Sequence, residues 1–117
     1  NLTIQGSLFD AISGGEGCIL YAMTSNNLTL DNIIVLRSKT NNGALFSGRG
    51  YYNYFEVVNC SFFGTETVIF NQFLGGTTQV VNSVFINTTN DENPNIPGVV
   101  LHFENEGLLI FNDSSIK

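Results

Sequence analysis

The sequence predicts an all-β chain, a parallel β-helix of about 4.5 coils with three short strands in each. Three observations carry that prediction. No long window keeps apolar residues at the i, i+3, i+4, i+7 spacing of an amphipathic helix, while Asn, Gly, Thr and β-branched residues abound. Strand-like apolar runs of four to seven residues recur between Gly and Asn clusters. These runs also repeat as a unit.

The repeat emerges when NLTIQGSLF, NLTLDNIIV, YFEVVNCSF, TTQVVNSVF and GLLIFNDSS are aligned on their sixth residues. Those residues are Gly6, Asn32, Asn59, Asn82 and Asn112, spaced 26, 27, 23 and 30 apart. Two positions earlier stand Ile4, Leu30, Val57, Val80 and Ile110, and three positions later Phe9, Val35, Phe62, Phe85 and Ser115. A second block, GCILY, GALFS, TVIFN and GVVLH, follows each of the first four markers, with the length variation confined to the turn before it. A fixed unit with one variable loop per turn is what a solenoid requires. Residues 1–117 therefore read as one domain, with coils starting near 1, 27, 54, 77 and 107.

Each element follows from its pattern. The first strand of a coil buries the columns two and four before the marker, the second strand those one and three after it, and the third strand Cys18, Ala44, Val68, Val99 with Leu20, Phe46, Phe70, Leu101. Continuing the two-residue period through the marker places Asn32, Asn59, Asn82 and Asn112 at an inner corner, stacked as an inward ladder. An amide has donors and acceptors for such a stack, and Asn tolerates a left-handed corner, as Gly6 does.

The coil pattern resembles right-handed β-helices of the pectate-lyase type and, more loosely, polymorphic outer-membrane-protein repeats of autotransporter passengers. Those repeats combine an FxxN element with GGA followed by an aliphatic residue. NNGALF, GGEGCIL and IPGVVL resemble the second element, while Phe85 and Asn87 stand one residue too close for the first. The resemblance implies a right-handed solenoid and a surface location, and it lends no catalytic residue.

Composition narrows the function. Ten acidic residues against four basic ones give a net charge of −6, which disfavours nucleic acid and anionic membrane surfaces as partners. No apolar run approaches the ~18 to 20 residues of a membrane span, so no membrane insertion is expected. The chain opens on Asn1 with no initiator Met, which suggests a processed product or an excerpt of a longer solenoid. Cys18 and Cys60 have neither disulfide-scaffold nor zinc spacing and read as small buried hydrophobes. No cofactor is expected.

Candidate chemistry is sparse. Asp31 and Glu56 lie in adjacent coils on the outward face of the first strand, where they form a carboxylate pair for glycoside hydrolysis, a calcium site, or two solvated acids. The sequence lacks the polygalacturonase and pectate-lyase signatures, and His102, the single histidine, has no assignable triad partner. Asp91, Glu92 and Asn93 give an oxygen-rich loop without EF-hand spacing. Gly14-Gly15 and Gly75-Gly76 read as turns.

Asn-x-Ser/Thr sequons start at Asn1, Asn27, Asn59, Asn87 and Asn112. Asn1, Asn27 and Asn87 are the candidate glycosylation sites, whereas Asn59 and Asn112 are reserved for the ladder. Outward positions of the third strand, Ile19, Leu45, Ile69 and Val100, form an apolar stripe expected to mark an interface. Uncapped coil ends are a second expected route to self-association or to neighbouring coils. These features point to a non-catalytic, extracellular or cell-surface β-helix, an adhesin segment or building block of a stalk or filament. The alternative is a polysaccharide-binding or polysaccharide-degrading module using the face around Asp31 and Glu56.

Overall fold

The structure, a computed structural model, describes residues 1–15, 17, 19–22, 27–89, 101–103 and 107–117. Among these residues there are strands and turns and no helix. In chain order the strands are β1 (Leu2–Gln5), β2 (Leu8–Asp10), β3 (Ser13–Gly14), β4 (Leu20–Ala22), β5 (Asn27–Asp31), β6 (Ile34–Leu36) and β7 (Lys39–Val58). They continue with β8 (Ser61–Phe63), β9 (Glu66–Val81), β10 (Val84–Ile86), β11 (Leu101–Phe103), β12 (Gly107–Asn112) and β13 (Ser115–Ile116).

Two parallel sheets result. The first runs β1-β5-β7-β9-β11, with β3 and β4 also paired to β7 and β12 to β9; the second runs β2-β6-β8-β10-β13. Parallel neighbours need long crossovers, and here part of each crossover is itself a strand of the other sheet. The register follows the sequence repeat: Leu2, Leu28, Phe55 and Thr78 align across the first sheet, and Phe9, Val35, Phe62 and Phe85 across the second. One expectation is modified. The strand expected third in one repeat and the strand expected first in the next run together in β7 and β9, broken only by irregular register between Lys39 and Ala44 and between Gly48 and Tyr51.

Single left-handed residues join the two sheets. At the first corner stand Gly6, Asn32, Asn59, Asn82 and Asp113, with φ from 49° to 59°. Five residues after each of the first four comes a second corner, Ala11, Arg37, Gly64 and Asn87, with φ from 50° to 63°. Corner N–H groups donate to carbonyls of the next repeat: Gly6 to Asp31 at 3.0 Å, Asn32 to Val58 at 3.0 Å, Asn59 to Val81 at 3.1 Å and Asn82 to Asn112 at 3.0 Å. The left-handed conformation costs an ordinary residue ~1 to 2 kcal/mol and Asn, Asp or Gly much less, which explains the composition of the first corner.

The core lies between the sheets. Phe46, Phe55, Phe62, Phe70 and Phe85 are all buried, joined by Leu28, Leu30, Ile33, Val35, Val57 and Val80. Phe70 is the hub: its ring centroid lies 5.5 Å from Phe46, 6.3 Å from Phe55 and 5.8 Å from Phe62. Phe62 and Phe85 stack at 4.8 Å with rings 6° from parallel, the distance of one rung.

The corner residues point out, which corrects the inward ladder. Asn32, Asn59, Asn82 and Asn112 are all exposed. A left-handed residue interrupts the two-residue alternation, so the position before the marker and the marker itself both face outward, while Ile33, Cys60 and Ser83 just after it face in. Among the described residues the buried asparagines are instead Asn53 and Asn71.

Asn112 is moreover not a corner. β12 pairs with β9 one residue out of the expected register, Leu109 with Thr78 and Phe111 with Val80. This turns Phe111 towards the core, 6.2 Å from Phe85, and hands the corner to Asp113. An aromatic ring facing the core buries more apolar area than Ile110 in the same place would, and Asp accepts the left-handed backbone as Asn does.

Candidate functional site

The outer face of the first sheet brings together the polar positions of successive repeats. Thr3, Thr29, Glu56 and Gln79 form one register row, and Gln5, Asp31, Val58 and Val81 the next. Asp31 and Glu56 fall in different rows, Asp31 opposite Val58 and Glu56 opposite Thr29. Gln5 Nε2 donates to Asp31 Oδ2 at 3.0 Å from β1, the side away from β7 and Glu56. The two acids are therefore neighbours on a polar strip and not a facing pair. On the same face the Tyr54 hydroxyl donates to Gln79 Oε1, tying β7 to β9.

The corner column carries a side-chain contact of its own. Asn82 Nδ2 donates to Asn59 Oδ1 at 2.6 Å on the outside of the molecule. Beside this pair lies an open groove of about 350 Å³ lined by Asn59, Asn82, Asp113, Ser61, Ser115 and Val84, with Cys60 and Ser83 at its floor. The floor is bonded into the backbone. Ser83 Oγ donates to Val81 O at 3.0 Å and accepts from Cys60 N–H at 3.0 Å, and Ser114 Oγ accepts from Ser83 N–H at 2.9 Å. The Cys60 sulfur is buried 3.2 Å from Val58 O and 3.4 Å from Leu30 O, and burial pushes the thiol above its ordinary value, partly opposed by hydrogen bonds to the backbone. Cys60 is a free cysteine, and Cys18 lies outside the described residues.

The expected apolar stripe is not on the surface. Leu45 and Ile69 are fully buried members of the core, and Ile19 is half-buried against it; Val100 lies outside the described residues. GALFS and TVIF are near-continuous apolar runs, and a parallel strand of that kind is covered on both faces instead of alternating. Among the described residues the large exposed apolar side chains are elsewhere: Leu8, Ile34 and Phe63 on the outer face of the second sheet, and Leu2, Leu108, Leu109 and Ile116 on the terminal strands β1, β12 and β13.

Of the remaining candidates, Asn1, Asn27, Asn59, Asn87 and Asn112 are all exposed. His102 pairs by its backbone with Asn71, and its side chain lies outside the description, as do Asp91, Glu92 and Asn93 entirely. Among the described residues no group of three or more His, Cys, Asp or Glu is placed to hold a metal ion, and no helix is long and apolar enough to cross a membrane. Sequence reasoning missed the groove and the second corner. The groove was legible only as the Ser that follows Gly6, Asn82 and Asp113, and the second corner only as a constant five-residue offset. In comparison with known proteins, no family model, no curated protein and no solved structure matches the chain.

Proposed function

We propose that the two parallel sheets are walls of one right-handed β-helix of the pectate-lyase-like type, serving as a non-catalytic structural or adhesive segment at the cell surface or outside the cell. The observation that carries this reading is the repeated pair of left-handed corners five residues apart, which sends the chain from one sheet to the other at the same point of successive coils. Parallel strands joined by crossovers in one sheet are overwhelmingly right-handed. Continuous backbone ladders and a phenylalanine-rich core give such a rod stiffness. The exposed sequons at Asn1, Asn27 and Asn87 suit glycans facing the surroundings.

Secretion from a eukaryotic host followed by glycopeptide mass mapping, with electron microscopy of the product, tests the reading. Occupied Asn1, Asn27 or Asn87 and a rod or filament with a rung repeat of ~4.8 Å are expected. A bare, compact, non-associating particle overturns the filament and glycoprotein reading.

A second reading has one observation in its favour, the polar strip of Gln5, Thr29, Asp31, Tyr54, Glu56 and Gln79 on one outer face. As a polysaccharide-binding or polysaccharide-degrading surface it predicts binding on a glycan array that Asp31→Ala and Glu56→Ala both weaken. Absence of binding and hydrolysis removes it.

A further inference from the structure

We propose that the groove beside the first corner binds one neutral sugar unit, seated on Val84 with its hydroxyls reaching Ser61 and Ser115. The proposal stands on this groove alone. It needs neither coil closure nor a surface location, and it is separate from the polar strip on the first sheet.

The groove is laid out in two outward columns. Asn59, Asn82 and Asp113 follow one another at the corner, and Ser61, Val84 and Ser115 lie two residues further along the chain, with Val84 paired in register to both serines. Beneath them Cys60 and Ser83 are buried and bonded to each other through Cys60 N–H and Ser83 Oγ, so the floor is set before a ligand arrives. A preformed hollow of about 350 Å³ falls within the ~300 to 1,000 Å³ of small-molecule sites.

Unused hydrogen-bonding capacity selects the chemistry. The Ser61 and Ser115 hydroxyls and the Asp113 carboxylate have no partner among the described residues, while Asn59 and Asn82, bonded to each other, each keep one polar amide atom for a ligand. Hydroxyls donate and accept, amides supply both kinds of atom, and a carboxylate only accepts. A ligand that meets all of them carries several groups that both donate and accept, close together, as a polyhydroxylated ring does. Half-buried Val84, between the two serines, offers methyl groups to the C–H face of such a ring. No lining side chain is basic, and Asp113 with a net charge of −6 disfavours an anionic sugar.

Spacing selects a single unit. Ser61 and Ser115 stand two rungs apart, about 10 Å at ~4.8 Å a rung. With a hydrogen bond of ~2.8 Å at each end, ligand oxygens roughly 4 Å apart fill the span. That is wider than adjacent hydroxyls and suits hydroxyls on non-adjacent carbons of one pyranose.

Titration of the isotope-labelled chain with the methyl glycosides of glucose, galactose and mannose, followed by amide NMR shifts and set against methyl glucuronide, tests the proposal. Saturable shifts at Ser61, Val84 and Ser115 are expected with at least one neutral glycoside, and severalfold weaker binding of the glucuronide, whose carboxylate meets Asp113. Ser61→Ala, Ser115→Ala and Asp113→Ala should each weaken the neutral sugar about threefold to tenfold, whereas Asp31→Ala should leave it unchanged. The two serine hydroxyls bond nothing within the fold, so their removal keeps the chain folded. A trisaccharide of the same sugar that binds as well or better identifies a glycan chain as the source, and one that is shut out identifies the free sugar. The proposal is overturned by no saturable shift with any neutral glycoside, by equal binding of the glucuronide, or by affinities that the Ser61, Ser115 and Asp113 variants leave unchanged.

Discussion

Asn82 donates from Nδ2 to Asn59 Oδ1 at 2.6 Å across neighbouring repeats, and both residues hold left-handed backbone, φ 49° and 54°. Two different needs meet at each position, a tolerated corner and an outward amide contact. They separate by substitution. Asn82→Ala loses both and should destabilise by about 1 to 2 kcal/mol, while Asn82→Gly keeps the corner and should cost less than half as much. Urea unfolding of the two variants gives the difference directly, and equal losses would show that the amide contact matters and the corner does not.

That pair also shows how far the sequence could be read. The marker column was legible because a left-handed corner selects Asn, Asp and Gly from repeat to repeat, and the inward columns because apolar residues recur on both sides of it. Its direction was not legible, since a two-residue period carried through Asn32 or Asn59 assumes extended backbone at the one residue that lacks it. The second corner was hidden for another reason. Ala11, Arg37, Gly64 and Asn87 share a conformation imposed by the turn between sheets and share no side-chain chemistry. In the last repeat Asn112 attracted the alignment, although Asp113-Ser114 repeats Asn82-Ser83 in both backbone and hydroxyl bonding.

Gly48 is fixed by close approach. A Cβ added there would stand 2.6 Å from Asn53 Nδ2 and 2.9 Å from Phe55 Cζ, and both side chains are buried, so neither can swing into solvent. Gly48→Ala should therefore cost about 1 to 3 kcal/mol by overpacking. Adding Asn53→Ala should recover part of the loss in a double-mutant cycle read by thermal unfolding; strict additivity would place the strain elsewhere.

Phe70 touches three other core rings, so its removal leaves a space that none of them can fill without losing its own contacts. Phe70→Ala is expected to destabilise by about 3 to 5 kcal/mol, and Phe70→Leu by clearly less. Chemical denaturation of both variants checks the order. A loss below ~1 kcal/mol for Phe70→Ala would mean that the core between the sheets is not closely packed.

Thr65 and Ser38 occupy the same place, just after the second corner, yet differ in bonding. Ser38 Oγ donates to Leu36 O at 3.0 Å and accepts from Ile12 N–H at 3.1 Å, whereas Thr65 Oγ1 is buried with no hydrogen-bond partner among the described residues. Replacing an unsatisfied buried hydroxyl by a methyl of similar shape removes a desolvation penalty. Thr65→Val should stabilise by up to about 1 kcal/mol, while Ser38→Ala should destabilise by a similar amount. A higher melting temperature for one variant and a lower one for the other is the expected pattern, and a loss in both would show that the Thr65 hydroxyl has a partner in solution.

Cys60 makes stability depend on alkaline pH. Burial raises its thiol above the ordinary value, so as pH rises through the unfolded thiol's range, about 8.5 to 9, the unfolded chain releases its proton first. The folded state then binds more protons than the unfolded one, and stability falls with rising pH through that window, with no such loss below it. Cys60→Ser fits the same position, since Ser83 in the next repeat bonds the carbonyl two residues back just as the Cys60 sulfur approaches it. Unfolding midpoints at pH 7 and pH 10 should differ less in Cys60→Ser than in the unchanged chain. A difference that persists undiminished would assign the alkaline slope to other groups. The same burial predicts that a disulfide reagent labels Cys60 only as fast as the chain opens, so its labelling rate should rise in step with the destabilisation caused by Phe70→Ala.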